Sequence, residues 1–369
     1  MKINTSKPYR IFSESIEQLA LDQFESAMNC DFVVRGALMP DAHAGYSLPI
    51  GAVVATNGYV VPAWVGYDIG CGMCAIKTTF DRFDVLNNAD SIFDEVYKKI
   101  PTGFSHNQSE SDWDYSSIPM TNDLLEIFTK NGLKQLGSLG SGNHFIEVGA
   151  DEYDSVWVIV HSGSRGIGHA VSSHYMKIAS PDGKAREGHY GFESESDNGK
   201  NYITDLKFCL SFALQNRLEI IKRMISVISE FCVGAEIQES LINRNHNHAE
   251  LKDGLWIHRK GATHAENGMM GVIPGNMRDG SFIVRGKGNS DALFSSSHGA
   301  GRVLGRNEAK KVLNIADFEK SMDGITAKVD LSTIDESPFA YKDIFEVMDM
   351  QSDLVEVMHH VSPILNIKA

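Results

Sequence analysis

The apolar positions of this 369-residue chain change period along its length. Between residues 31 and 79, short apolar runs alternate with glycine and asparagine, a pattern of strands and tight turns. Gly51-Ala52-Val53-Val54-Ala55-Thr56, then Asn57-Gly58, then Tyr59-Val60-Val61 predicts a hairpin closed by a type I′ turn. Residues 75–79 read as another strand. Residues 83–131 are mixed and partly helical, with a polar surface loop over 105–122. Strands are predicted at 144–148 and 156–160, and an exposed, glycine-rich acidic loop at 180–200. From Thr204 to about Phe231, Leu206, Leu210, Ala213, Leu214, Ile221, Met224, Ile225 and Ile228 recur at helical spacing, with Gly234 placed to end the helix. Further strands are expected at 255–258, 281–285 and 354–358, and helices at 308–313 and 344–350. No Pro- or Ser-rich linker and no internal repeat divides the chain. Its candidate chemistry spans Asp68 to the C-terminus, so the expectation is one α+β domain over 1–369.

Composition narrows the class. With 42% hydrophobic and 22% charged residues the chain can fold, and disorder is excluded. No apolar run reaches membrane-spanning length, and Met1-Lys2-Ile3-Asn4-Thr5 lacks a signal-peptide core. Five cysteines, an odd number, point to reduced thiols and a cytoplasmic protein without membrane partners. A net charge of −14 argues against a general nucleic-acid binder. Yet residues 257–311 carry nine Lys or Arg against four Asp or Glu, a local basic stretch suited to gripping phosphates.

The candidate chemistry lies in glycine-rich settings. Asp68 and Cys71, three apart and flanked by glycine, could hold a thiophilic divalent metal, although a buried cysteine beside glycine more often only packs. Cys71 and Cys74 form a Cys-x-x-Cys pair, but a strand rather than a helix follows it, so Cys74 reads as a small core residue. Gly137-Ser138-Leu139-Gly140-Ser141-Gly142-Asn143-His144 allows close backbone approach to a ligand. His161 ends a strand and leads into Ser162-Gly163-Ser164-Arg165-Gly166, a turn suited to an anion. In Asn245-His246-Asn247-His248 the two histidines would share a strand face, and their spacing does not rank them. Arg259, Lys260, Arg285 and Arg302 could grip phosphates, and His298, between Ser297 and Gly299, could act as a nucleophile.

These runs resemble a known family. Met39-Pro40-Asp41-Ala42-His43-x-Gly45, Asp68-Ile69-Gly70-Cys71-Gly72-Met73, Gly142-Asn143-His144-Phe145-Ile146-Glu147, His161-Ser162-Gly163-Ser164-Arg165-Gly166, His258-Arg259-Lys260-Gly261-Ala262, Pro274-Gly275-x-Met277 and Ser297-His298-Gly299-Ala300-Gly301-Arg302 are similar, in order, to the RtcB RNA ligases. Ala340-Tyr341-Lys342-Asp343-Ile344 and Ser352-Asp353-Leu354-Val355-Glu356-Val357 extend the likeness. The resemblance implies sheets around a central metal and nucleotide cleft with flanking helices. It implies a GTP- and Mn²⁺-dependent ligase joining RNA 3′-phosphate or 2′,3′-cyclic phosphate ends to 5′-hydroxyl ends. Cys71 would bridge two Mn²⁺ ions, one also held by His144 and His161, the other by Asp68 and His246. His298 would carry GMP. Asn143, His144, Phe145, Ile146, Glu147, His246, Asn247, Pro274, Gly275, Asn276, Met277, Ser281, Gly299, Ala300, Gly301 and Lys368 would bind the nucleotide or its metals. Arg165 and Lys260 would contact phosphate, and an archease-type activator is an implied partner. Tyr67, Cys74 and His264-Ala265-Glu266-Asn267 depart from the residues expected of that family, pointing to a divergent paralogue. The residues alone leave two alternatives: a metal-dependent phosphoesterase, and an inactive RNA-binding relative.

Overall fold

Two sheets carry most of the strands in the computed structural model, which describes residues 1–369. One has five strands in the order Tyr9–Ile11, Val33–His43, Ile50–Thr56, Leu255–Lys260, Asn247–Lys252. The other runs Met270–Pro274, Ser281–Gly286, Val355–Ile367, Phe145–Ala150, Val156–Ser162, Gly72–Lys77, Ile242–Asn245, with Thr326–Ala327 added in parallel beside Val355–Ile367. This sheet curls until Met270–Pro274 packs against the strands at its opposite edge. Most pairings are antiparallel, and helices flank both sheets, so the architecture is α+β as expected.

Strand alternation sorts the curled sheet's side chains. Ile146, Val148, Val156, Val158 and Val160 face a core shared with the long helix Asp197–Ile228 and the helix Ala89–Lys99. Phe145, Trp157 and Ile159 face the concave side with Met73, Val272 and Ile283. Both faces are covered, which is why Val156–Ser162 is buried throughout and reads as an unbroken apolar run.

Several expectations need correction. Ile50–Thr56 does not form a hairpin with Tyr59–Val60. It is already flanked by Val33–His43 and Leu255–Lys260, so Tyr59–Val60 pairs with Phe192–Glu193 instead. A type I′ turn needs two positive φ angles, and here only Gly58 supplies one, at 69°. The long helix starts before Thr204, because Ser196 Oγ accepts the Gly199 N–H at 3.1 Å and caps it. It ends at Ile228, ahead of Gly234. His246 and His248 do not share a face: the chain leaves one sheet after Asn245 and enters the other at Asn247. The helix Arg165–Ala179 stands where the glycine-rich run suggested only a turn. Residues 105–122 do form a loop, but Trp113 and Tyr115 within it pack on Phe128 and Phe208. The basic stretch is largely neutralised by ion pairs: Arg259 with Glu250, Lys260 with Glu187, Arg285 with Glu356, and Arg302 and Arg306 with Glu336.

Candidate metal centre and nucleotide cleft

Four neighbouring strands of the curled sheet end at one place. Cys71 precedes Gly72–Lys77, His144 precedes Phe145–Ala150, His161 lies in Val156–Ser162, and His246 follows Ile242–Asn245. Main-chain bonds fasten the Cys71 turn to the His246 crossing: Gly70 N–H donates to Asn247 O at 2.8 Å, and His246 N–H to Cys71 O at 2.7 Å. Gly70 adopts φ 74°, and a Cβ there would stand 2.8 Å from Ala213 Cβ, so this turn requires glycine. At Gly140, with φ 100°, a Cβ would strike the His144 ring at 2.3 Å.

The hydrogen bonds decide which ring nitrogens face inward. His144 Nδ1 lies 3.0 Å from Leu139 O and His161 Nδ1 lies 3.2 Å from Asn143 O. A carbonyl only accepts, so both Nδ1 atoms carry the proton and both Nε2 atoms offer lone pairs. Cys71 Sγ is 3.1 Å from His161 Nε2 and 3.3 Å from His144 Nε2. His246 Nε2 is 3.2 Å from His161 Nε2, and Asp68 Oδ2 is 2.9 Å from His144 Nε2. Burial, then the Asp68 charge, pushes the Cys71 thiol far up, and burial drives His161 and His246 well down. Lone pairs gathered this closely need a cation among them. One sulfur, one carboxylate and three imidazoles are a fitting donor set for a borderline divalent metal.

The long helix supplies the framework. Arg217 is fully buried and donates to Gly70 O at 2.8 Å, Ser162 O at 2.9 Å, and the Asn243 and Asn245 side chains at 2.7 Å each. One guanidinium therefore joins the segments bearing Cys71, His161 and His246. Asn216 beside it holds the glycine-rich turn, accepting from Gly137 N at 2.7 Å and donating to Ser138 O at 3.2 Å.

A cleft opens on one side of the cluster. His161, His298, Asn143, Phe145, Glu147, Pro274 to Met277, Gly299 to Gly301 and Lys368 line it, together with Arg302, Arg306, Glu336 and Tyr341. His298 Nδ1 is 2.6 Å from Asp41 Oδ2, and the His298 backbone N–H donates to the same oxygen at 3.2 Å. Asp41 is wholly buried; burial opposes its charge, but His298 holds its carboxyl below the usual range. The His298 and His246 rings are 4.8 Å apart, so this histidine stands between cleft and cluster.

A model of the family described as "tRNA-splicing ligase RtcB" matches residues 23–126 and 116–369. The chain is 33% identical to the RNA-splicing ligase RtcB of Escherichia coli K12, over 96% of this chain and 95% of that protein. It is 30% identical to the tRNA-splicing ligase RtcB of Methanococcus maripaludis, over 85% and 83% of the two chains. The chain belongs to the RtcB family.

Not every residue expected to hold a nucleotide, or to contact phosphate, in an RtcB protein lines the cleft. Ile146 points to the opposite face of its strand, into the core. Asn247 is spent on the framework, accepting from Gly261 N at 2.8 Å and donating to Asp68 O at 3.3 Å. Ser281 is fully buried below the floor. Lys260 is held by Glu187 at 2.7 Å. Arg165 lies on the far side of the cluster, in a second cavity with Asp68 and His144. Asp41 stands in one of the family-like runs but has no role assigned from sequence, and Arg217, Arg306 and Glu336 escaped the sequence reading. Asn216 and Arg217 did leave a signal: two polar residues inside the helix's buried stripe, between Ala213 and Ile220.

A second convergence, of His248, Glu250 and His264, is already filled by a cation. Arg259 Nη1 lies 3.1 Å from His248 Nε2 and also bonds Glu250.

Proposed function

We propose that this protein is a GTP- and Mn²⁺-dependent RNA ligase that joins 3′-phosphate or 2′,3′-cyclic phosphate ends to 5′-hydroxyl ends, residues 1–369 acting as one catalytic unit. The observation that carries this reading is the buried Asp41 on Nδ1 of His298. The carboxylate keeps the proton on Nδ1, leaving the Nε2 lone pair free to attack the α-phosphorus of GTP. The new N–P bond replaces the bond to the bridging oxygen, and pyrophosphate leaves. Asp41 offsets the positive charge that the ring then acquires.

A 2′,3′-cyclic end is first opened by water, breaking the bond to O2′, and a terminal oxygen of the resulting 3′-phosphate next displaces His298 from phosphorus and takes up GMP. A phosphate monoester has no good leaving group, and GMP becomes one. The 5′-hydroxyl then attacks the RNA phosphate and GMP departs, leaving a 3′,5′-phosphodiester. Asp68, Cys71, His144, His161 and His246 would hold the metal. When bound, the metal stabilises charge on the phosphoryl oxygens. Asn143, Phe145, Glu147 and Lys368 form the wall against which the nucleotide lies. Arg165 is positioned for the RNA phosphate, and Lys260 must part from Glu187 to reach one.

The test is incubation with Mn²⁺ and α-labelled GTP. An acid-labile, alkali-stable label that disappears in His298→Ala, with ligation of 3′-phosphate to 5′-hydroxyl RNA, is the expected result. A metal-loaded protein that hydrolyses phosphoesters without acquiring label would show the phosphoesterase reading to be correct.

A further inference from the structure

The second cavity, of about 520 Å³, lies across the metal cluster from the nucleotide cleft. Ligand clefts commonly occupy roughly 300–1,000 Å³. Asp68 and His144 form its inner wall and Arg165 stands beside them. Its rim is aromatic. Tyr67, next to the ligand Asp68, stacks on His169 with ring centroids 4.9 Å apart and planes at 21°. Phe104 stands at the same rim and is 90% exposed, an unusual setting for a phenylalanine in a protein with well-packed cores.

Phe104 is not on a loose segment. It occupies a tight turn in which Ser105 N–H donates to Thr102 O at 3.1 Å. Gly103, before it, donates from N–H to Gly140 O at 2.8 Å, and its carbonyl accepts from Arg165 Nη2 at 2.6 Å. Arg165 also donates to Ser138 Oγ at 3.0 Å. The arginine facing the cavity therefore anchors the turn that carries Phe104 at the cavity mouth.

We infer that this rim binds the unpaired base of the RNA strand's 3′-terminal nucleotide, stacking it on the Tyr67–His169 pair and Phe104 while its phosphate meets Arg165 and the cluster. The inference rests on the ligase reading and adds a base subsite to it. An aromatic face beside a cation fits a nucleotide better than an apolar peptide, because each base has a π-face and each phosphate a charge. Continuity with the metal ligands fixes which nucleotide enters: the phosphate that must react lies at the cluster, so the base attached to it reaches the rim. Stacking tolerates any base, so the subsite selects for a free, unpaired end rather than a sequence.

The test uses full-length, Mn²⁺-loaded protein and a 5′-fluorescein hexaribonucleotide ending in a 3′-phosphate, beside the same strand made abasic at its last nucleotide. Anisotropy titration of wild type should show the intact strand bound roughly 5- to 100-fold more tightly, the usual effect of one stacked base. Tyr67→Ala and Phe104→Ala should lose most of that preference by weakening the intact strand alone. Tyr67→Phe should keep it. The salt dependence of binding should be unchanged in all three, since no phosphate contact is lost. Equal binding of intact and abasic strands by wild type, or an undiminished preference in both alanine variants, would overturn the inference. GMP labelling of His298, measured on the same samples, reports separately on the ligase reading and should not change in these variants.

Discussion

Asp41 and His298 are 257 residues apart in the chain and 2.6 Å apart in the fold, carboxylate oxygen on ring nitrogen. The contact is buried on the Asp41 side, and the oxygen that accepts from the ring also accepts from the His298 backbone. Side chain and main chain of His298 are thus aimed by one carboxylate. Asp41→Ala should lower GMP transfer to His298 by roughly 10²- to 10⁴-fold, the usual contribution of such a proton-holding group. Metal content measured by mass spectrometry should not change, because Asp41 touches none of the cluster atoms. Loss of metal along with activity would show Asp41 to be structural.

Cys71 and Cys74 make a second contrast. Cys71→Ala should remove the one sulfur donor of the cluster and abolish labelling of His298. Cys74 lies in the core between sheet and long helix, where burial pushes its thiol up to about 12. Cys74→Ala should keep labelling largely intact and cost about 1 kcal/mol of stability, as for other small core deletions. Equal loss in both variants would give Cys74 a chemical role. Thiolate and imidazole ligands favour Zn²⁺ over Mn²⁺, so added Zn²⁺ should compete with Mn²⁺ for the site.

Arg217 bonds the main chain at Gly70 and Ser162, beside the candidate metal ligands Cys71 and His161. Arg217→Met would leave buried carbonyls and amides without donors, at a cost on the order of 3–5 kcal/mol. Scanning calorimetry should show a large fall in Tm, and Mn²⁺ affinity should fall with it. Arg217→Lys should fare little better, because a single ammonium cannot span the four acceptors that the planar fork reaches. A Lys variant with full stability and full metal affinity would refute this role.

Glu147 gives a pH prediction. Burial raises its carboxyl to about 8, against the downward pull of Ser281 and Lys368. The folded protein therefore binds this proton more tightly than the unfolded chain does. That contribution to stability is complete below about pH 4 and is lost as pH rises towards 8. Without nucleotide, Tm should decline over this window, and Glu147→Gln should flatten the decline. Parallel profiles in the two proteins would show that Glu147 does not carry it.

Local pattern made part of this legible. Val156–Ser162 and the helix Ile344–Met350 announce themselves by apolar runs of the right period. The false hairpin at Asn57-Gly58 shows where local reasoning stops: both edges of Ile50–Thr56 were already taken, one by the preceding strand Val33–His43 and the other by the distant Leu255–Lys260. His246 and His248 fail for a similar reason, since strand alternation applies only while the chain stays in one sheet.

By itself the order of residues determined the family and the α+β class and offered candidate metal donors, because side-chain chemistry and glycine spacing are local properties written in consecutive positions. Tertiary structure decided which groups act together: Asp41 behind His298, Arg217 beneath the metal turns, Ile146 turned to the core, Lys260 tied to Glu187, and Phe104 fixed at the mouth by Arg165. Those relations join segments up to 257 residues apart, and only the closing of the two sheets brings them within hydrogen-bonding distance.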